Sequence, residues 1–387
     1  MLTSITLQNF KSFGEEQTIP LEPITVLVGP NNSGKSNLVS LARFIRNAAT
    51  AGAESAFEQE GGIEFVLRRP AVGDSHISFG WKADTETDNE GAYSVKLDVT
   101  HARIVQLNER LAGPKLGEAW QRYNSDRPAT GYFNPRSGWV GPEWIDTEPM
   151  AGLSHQVQQS HPEVEHFHHV WKPLVLSREI KLSVPVLRQD AGVVPSPQLG
   201  SDGSGLAAVL GLWRGSNLDR AEELDKFIQS CLPEISRVLV KPARVPGEQR
   251  IWVQQTDGEQ FDAAHVSDGV LSFIALAMHA IDAKPGSLIF VEEPEQSIHP
   301  RLINKLVELF RRIVYERKCQ IVIVTHSPVL LNEFRDDPEA ILLFRRDENK
   351  GTQVKSLTEY PDLIEALNSR EADPGDMLVN GYFNEPA

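Results

Sequence analysis

At 387 residues the chain can hold one large or two ordinary domains. Its 40% hydrophobic and 24% charged residues exclude a disordered or fibrous polymer, and no apolar run approaches the ~20 residues of a membrane span. A net charge of −15 excludes a uniformly basic nucleic-acid coat, while leaving room for a local basic patch. The start, Met1 to Phe10, has neither a basic leader region nor a long apolar run, so no signal peptide is expected. Cys231 and Cys319 stand far apart without a metal-ligand pattern, which suits reduced thiols and a cytoplasmic location.

The first elements are strands. Leu2 to Phe10 alternates apolar and polar residues, and Gln17 to Leu21 follows, so the pair reads as a hairpin. Ile24 to Val28 is a short β-branched run that enters Gly29-Pro-Asn-Asn-Ser-Gly-Lys-Ser36, a G-x-x-x-x-G-K-S loop. Leu38, Leu41, Ala42 and Ile45 then recur at helical spacing. Strand, glycine loop and helix together predict a phosphate cradle. Gly29 and Gly34 let backbone N–H groups point inward, and the helix N-terminus adds partial positive charge. Gly29, Asn31, Asn32, Ser33, Gly34, Lys35, Ser36 and Asn37 are the expected ATP-binding residues. Lys35 would reach the outer phosphates, and the Ser36 hydroxyl would ligate Mg²⁺.

Order then weakens. Ala48 to Gly62 reads as a loop, and Ile63–Arg68, Ser75–Trp81 and Tyr93–Val99 read as strands of a small antiparallel sheet. Residues from about 108 to 172 look irregular, with scattered Pro, Gly and Trp, and suggest an insertion that flanks the core. His155, His161, His166, His168 and His169 crowd this insertion, accompanied only by Glu163 and Glu165, and read as a polar surface loop.

Leu174 to Arg178 returns to strand character, and Leu199 to Leu206 is a glycine-rich loop opening a helix. Ala221 to Cys231 is helical. Val238–Val240, Arg250–Val253 and Gln260–Phe261 are short strands. Ser267 is placed to cap a helix running from Val270 to about Ala283, apolar nearly all round and therefore buried. Leu288-Ile-Phe-Val-Glu-Glu293 is a buried strand ending in acids. Four apolar residues and an acid form the Walker-B pattern, with Glu292 orienting Mg²⁺ and Glu293 orienting or deprotonating the attacking water. Arg301 to Lys318 is an amphipathic helix, and Ile321 to Ser327 is another buried strand, ending at His326. His326 is the expected γ-phosphate or water contact. Ile341–Phe344 is the last strand read, and residues 346–387 read as a tail. Strands alternating with helices predict a largely parallel sheet with its ligand at the carboxyl strand ends.

In this order the phosphate loop, Ser267-Asp268-Gly269, Leu288–Glu293 and His326 resemble an ABC-type ATPase head. More narrowly the chain is similar to ATPases of the RecF, SMC and OLD group, many of them in anti-phage defence loci. Asn9-Phe-Lys-Ser-Phe13, Gly200 to Leu206, Val266 to Val270, Glu292-Glu-Pro-Glu295, Ile298-His-Pro300 and Thr325-His-Ser-Pro328 carry that likeness. The resemblance implies a mixed, largely parallel α/β core sheet, an N-terminal antiparallel β subdomain, and a large insertion between Walker A and the signature. The implied division is 1–50, 51–173, 174–345 and 346–387.

It also implies that Ser267 and Gly269 bind the γ-phosphate of a second copy, giving a homodimer of ATP-sandwiched heads, with His299 near the partner's site. Asp268 and Val270 depart from the common signature, and no glutamine lid loop can be placed. Relatives of OLD type carry a Toprim nuclease domain and SMC types carry long heptad arms. Neither pattern is read here, so a separately encoded effector is the expected partner, in a defence or DNA-maintenance setting. DNA is the alternative partner, through basic pairs such as Arg68-Arg69, Arg311-Arg312, Arg317-Lys318 and Arg345-Arg346. No membrane partner is expected.

Overall fold

A computed structural model describes residues 1–69, 76–84, 90–100, 103–113, 117–124, 129–134, 138–144 and 168–384. At its centre is a six-stranded sheet. Arg178–Ile180, Leu288–Glu292, Gln320–Val324, Ile24–Val28 and Ile341–Asp347 lie side by side and parallel, and Gly351–Ser356 closes the edge antiparallel. The inner strands are buried on both faces, as their unbroken apolar runs require.

Successive residues of each strand feed opposite cores. Val26, Ile289, Val291, Ile321 and Ile323 pack with the helices Asp268–Ile281 and Pro300–Arg317. Leu27, Leu288, Phe290, Val322 and Val324 pack with the phosphate-loop helix Lys35–Ala51 and the N-terminal sheet. This period of two fixes the register, because a one-residue slip would exchange the two cores.

The second sheet has eight antiparallel strands in the order Gln17–Pro20, Leu2–Gln8, His76–Asp84, Glu90–Thr100, Arg103–Gly113, Gly117–Asn124, Ala129–Asn134 and Gly138–Trp144. The expected N-terminal hairpin is its first pair. Among the described residues from 108 to 144 the backbone lies in strands rather than being irregular. Gly and Pro weakened that reading, yet Pro142 lies on the edge strand, where a missing N–H costs no ladder bond. The insertion is anchored at its base, where Trp81 Nε1 donates to the Val170 carbonyl oxygen (2.7 Å) and packs against Tyr93 and Trp171. The crowded histidines His155, His161 and His166 lie outside the described residues.

Three local expectations change. Residues 48–62 are mostly helical (Lys35–Ala51, then Ala53–Gln59), broken by Gly52 at φ +86°. Ile63–Val66 is a single helical turn, not a strand, and it buries Ile63 and Val66 at i, i+3 spacing. Residues 168–175 form a helix that precedes the short strand Arg178–Ile180. A third small sheet joins Ala191–Gly192, Glu248–Gln255, Ile235–Pro242 and Gln260–Asp262. No helix among the described residues is long and apolar enough to cross a membrane.

Candidate nucleotide site

The phosphate loop joins strand Ile24–Val28 to helix Lys35–Ala51. Gly29 has φ +152° and Gly34 φ +106°. A Cβ on Gly29 would lie 2.1 Å from the Phe344 carbonyl oxygen, and one on Gly34 2.2 Å from Thr352 Oγ1. Only glycine fits either place. Lys35 is 6% exposed, and its ammonium donates to the carbonyl oxygens of Gly29 (2.7 Å) and Pro30 (2.9 Å). Burial lowers its pKa to about 8, with the nearby Glu293 charge acting in the opposite direction.

Bonds from distant segments brace the loop. Thr352 Oγ1, fully buried, donates to the Ser33 carbonyl oxygen (2.8 Å) and sits 2.7 Å from Ser12 Oγ. Asn37, expected at the nucleotide, instead turns its amide to Ser12 Oγ (2.6 Å), and Ser33 is buried beneath the loop. Asn31, Asn32 and Ser36 stay exposed at the rim. Behind the loop, Glu60 accepts from Lys11 (2.5 Å), Ser40 (2.7 Å) and Arg43 (2.9 Å). Burial pushes the Glu60 carboxyl up, but hydrogen bonds from Arg43, Lys11 and Ser40 outweigh it and bring its pKa down to about 2.

The carboxylate strand Leu288–Glu292 lies beside Gln320–Val324, which lies beside the loop strand. Glu292, Glu293 and His326 therefore leave the same sheet edge as Gly29. Glu292 holds Lys181 at 3.0 Å, and this bond raises the Lys181 pKa. Glu293 has φ +47°, a strained position for a residue with a Cβ, pinned by its N–H to the Val324 carbonyl oxygen (2.7 Å) and by the Gln296 amide on its carboxylate. Glu295 accepts from Thr325 Oγ1 (2.6 Å) and the His326 N–H (3.1 Å). Partial burial and the Lys35 charge lower the His326 pKa, against Glu293 and Glu295, which favours the neutral imidazole. A cavity of about 310 Å³ opens between Lys181–Pro185, the helix residues Ser272 and Leu276, and the residues Glu292, Glu293, Gln296 and Ser297.

Ser267 caps helix Asp268–Ile281, its Oγ accepting from the Val270 N–H at 3.4 Å. Both Ser267 and Asp268 are exposed. Arg188 holds this turn through Asp268 Oδ1 (2.5 Å) and the Val266 carbonyl oxygen (2.9 Å). Gly269 approaches the loop after the carboxylates so closely that a Cβ would sit 2.3 Å from the Ser297 carbonyl oxygen. His299 is exposed and caps helix Pro300–Arg317.

Sequence reasoning missed Lys181, Arg188, Glu295 and Thr352. Each acts on a partner 30 or more residues away; Glu295 lies in the quoted Glu292-Glu-Pro-Glu295 run, but its role towards Thr325 and His326 does not show there, and no local motif marks the other three. Lys181 directly follows the edge strand Arg178–Ile180. The glycine-rich loop brackets that segment, with the carbonyl oxygens of Ser201 and Asp202 accepting from the N–H groups of Lys181 (2.7 Å) and Ser183 (3.0 Å). Most of the basic pairs are engaged within the fold. Arg68 donates to Ser12 O, Arg311 pairs with Asp337, Arg312 and Arg317 with Glu223, and Arg345 donates to Phe383 O.

Known proteins share these features. A family described as "AAA domain, putative AbiEii toxin, Type IV TA system" matches residues 152–332, and one described as "AAA ATPase domain" matches residues 1–90. The Old nuclease of Escherichia phage P2 is 21% identical over 406 residues, covering 99% of this chain and 65% of that protein, so the chain spans about two thirds of its length. The chromosome partition protein Smc of Halothermothrix orenii is 47% identical over 51 residues, 13% of this chain and 4% of that protein. In fold, the SMC head domain from Thermotoga maritima superposes with a TM-score of 0.50 at 11% identity, over 92% of this chain and 98% of that one. An SMC head bound to the C-winged helix domain of ScpA gives 0.53 at 12% identity, over 92% and 99%. With these motifs gathered on one sheet edge, the chain has the fold of an SMC head domain and is similar in sequence to AAA-family ATPase domains and to the Old nuclease and Smc proteins.

Proposed function

We propose that the chain binds and hydrolyses ATP in a site completed by a second copy of itself, and that this dimerisation controls a partner protein. The observation that supports this reading is the convergence of Gly29–Ser36, Glu292, Glu293 and His326 on one edge, while Ser267 and Gly269 stand on a separate, outward-facing turn.

The residues suit a triphosphate and Mg²⁺. The cradle at Gly29 and Gly34 leaves no room for a Cβ, and Lys35 spends its N–H donors on loop carbonyls that an anion would replace. Ser36 and Glu292 would hold the cation, whose charge offsets that developing on the phosphates. Lys181 must then yield its hold on Glu292. Glu293 would orient and deprotonate the attacking water, with its strained backbone fixing the carboxylate. Neutral His326 would donate to the γ-phosphate or the water. The partner copy's Ser267 turn would present a helix N-terminus to that phosphate.

The sequence and fold likeness to OLD and SMC proteins supports two settings. One is an anti-phage system, with a separately encoded effector as the controlled partner. The other is DNA maintenance, favoured by the SMC-like segment and head fold. The enzymatic core of both is tested by Glu293→Gln. We expect ATP affinity within about threefold of the parent, turnover lower by about 10²-fold or more, and an ATP-dependent dimer by light scattering. Wild-type turnover in this variant would remove Glu293 from its assigned role.

A further inference from the structure

A cavity of about 740 Å³ lies away from the ATP edge. Arg46 borders it about three turns along the phosphate-loop helix from Lys35, roughly 16 Å at 1.5 Å per residue. The remaining walls come from the start of strand Arg178–Ile180, the stretch Ser196–Ser201, helix Leu206–Ser216 and the far end of helix Asp268–Ile281.

Five cationic side chains face two carboxylates there. Asp282 is shared by Arg178 (2.8 Å) and Arg220, and Glu179 takes Arg43 (2.8 Å). Two cations are left over. Arg46 forms no ion pair among the described residues and donates to the Ser177 carbonyl oxygen (2.9 Å), and Lys284 is exposed with no ion-pair partner among the described residues. In a chain of net charge −15, this local excess runs against the overall field.

An independent feature marks the same place. His279 borders the cavity, is 3% exposed, and neither ring nitrogen has a hydrogen-bond partner among the described residues. Leaving a buried polar group unpaired is costly, so such a group asks for an occupant. Burial and the Arg178 charge lower its pKa to about 4, which leaves one N–H to donate and one lone pair to accept at pH 7. Burial and repulsion from Arg43 also lower the Arg46 pKa, against the Glu179 charge, a stress that a bound anion would relieve.

We propose that this cavity is a second ligand site, for a small molecule carrying a phosphate chain, with Arg46 and Lys284 as its principal charge partners and His279 as a buried hydrogen-bonding group. The excess of cations excludes a metal ion. The volume exceeds that of a single phosphate and suits an oligophosphate of nucleotide size. Val209, Leu212 and Trp213 supply an apolar wall for the rest of the molecule. A nucleic-acid duplex is too wide to enter.

The test uses the full chain carrying Lys35→Ala, so that the phosphate loop contributes nothing, with tripolyphosphate as the probe in titration calorimetry. One equivalent is expected to bind, and Lys284→Glu and Arg46→Gln are each expected to weaken it at least tenfold. Lys284 is exposed, so its variant keeps the fold, and an unchanged thermal melt checks this for both. Absence of binding to the Lys35→Ala chain, or binding unaffected by Lys284→Glu, overturns the proposal. So does a short DNA duplex that binds where tripolyphosphate does not and is lost in the same variants. ATP binding by the unsubstituted chain is measured separately, so failure here leaves the phosphate-loop reading standing.

Discussion

The phosphate loop and the Ser267 turn are built in opposite ways. The loop buries Gly29, Ser33, Gly34 and Lys35, is fenced by backbone that leaves no room for a Cβ at Gly29, and is braced by Thr352, Ser12 and Asn37. The turn stands exposed, held at its base by one arginine and by the close approach of Gly269 to Ser297. A braced, inward-facing half can hold a triphosphate within one chain. An exposed half at a helix N-terminus is suited to receive a phosphate from outside. That contrast is what a composite site between two copies requires.

The comparison can be broken first at the braced half. Lys35→Ala should abolish measurable ATP binding, with a loss of at least 10²-fold in a fluorescent-nucleotide titration. Retained affinity would mean that the loop is not the binding half. Glu60→Gln should act on stability. It removes the carboxylate on which Lys11 and Arg43 converge; Arg43 keeps Glu179, but part-buried Lys11 is left without an ion-pair partner among the described residues, a cost of about 2 kcal/mol in denaturant unfolding.

The pH dependence has a definite sign. The Glu60 pKa is lowered in the fold, so its stabilisation is fully present above its unfolded value and is lost as pH falls toward about 2. The gap between parent and variant should therefore narrow across that acid window and be flat near neutrality. The smallest effect should come from Arg188→Gln. It loosens the exposed half only, so ATP affinity should stay within twofold while ATP-dependent dimerisation weakens about fivefold. Equal losses in both would tie the turn to binding in cis.

The same contrast explains what could be read from the sequence. Gly29–Ser36, Leu288–Glu293 and Ile321–His326 are contiguous runs in which a buried strand delivers its polar residues at the end, so both the element and its chemistry are local. Parallel pairing of these runs then follows from the helices between them. Thr352 was not legible, because its bond to the loop spans 319 positions and the strand that carries it sat in a segment read as a tail. Lys181 and Arg188 are single residues whose partners are set only by folding. The cationic cavity draws on at least four separated segments, and no window of sequence shows it. Residues 63–68 misled in the other direction, since β-branched composition reads as strand until tertiary packing buries Ile63 and Val66 on one helical turn.

The most direct measurement mixes two inactive chains. One carries Lys35→Ala, with its Ser267 turn intact; the other carries Ser267→Arg, with its phosphate loop intact. Each alone should hydrolyse ATP at background. If the site is shared between copies, an equimolar mixture rebuilds one complete site per mixed dimer, and turnover should return to a substantial fraction of the parent rate. A mixture that stays at background, or a Ser267→Arg chain that turns over at the parent rate by itself, would contradict the shared site.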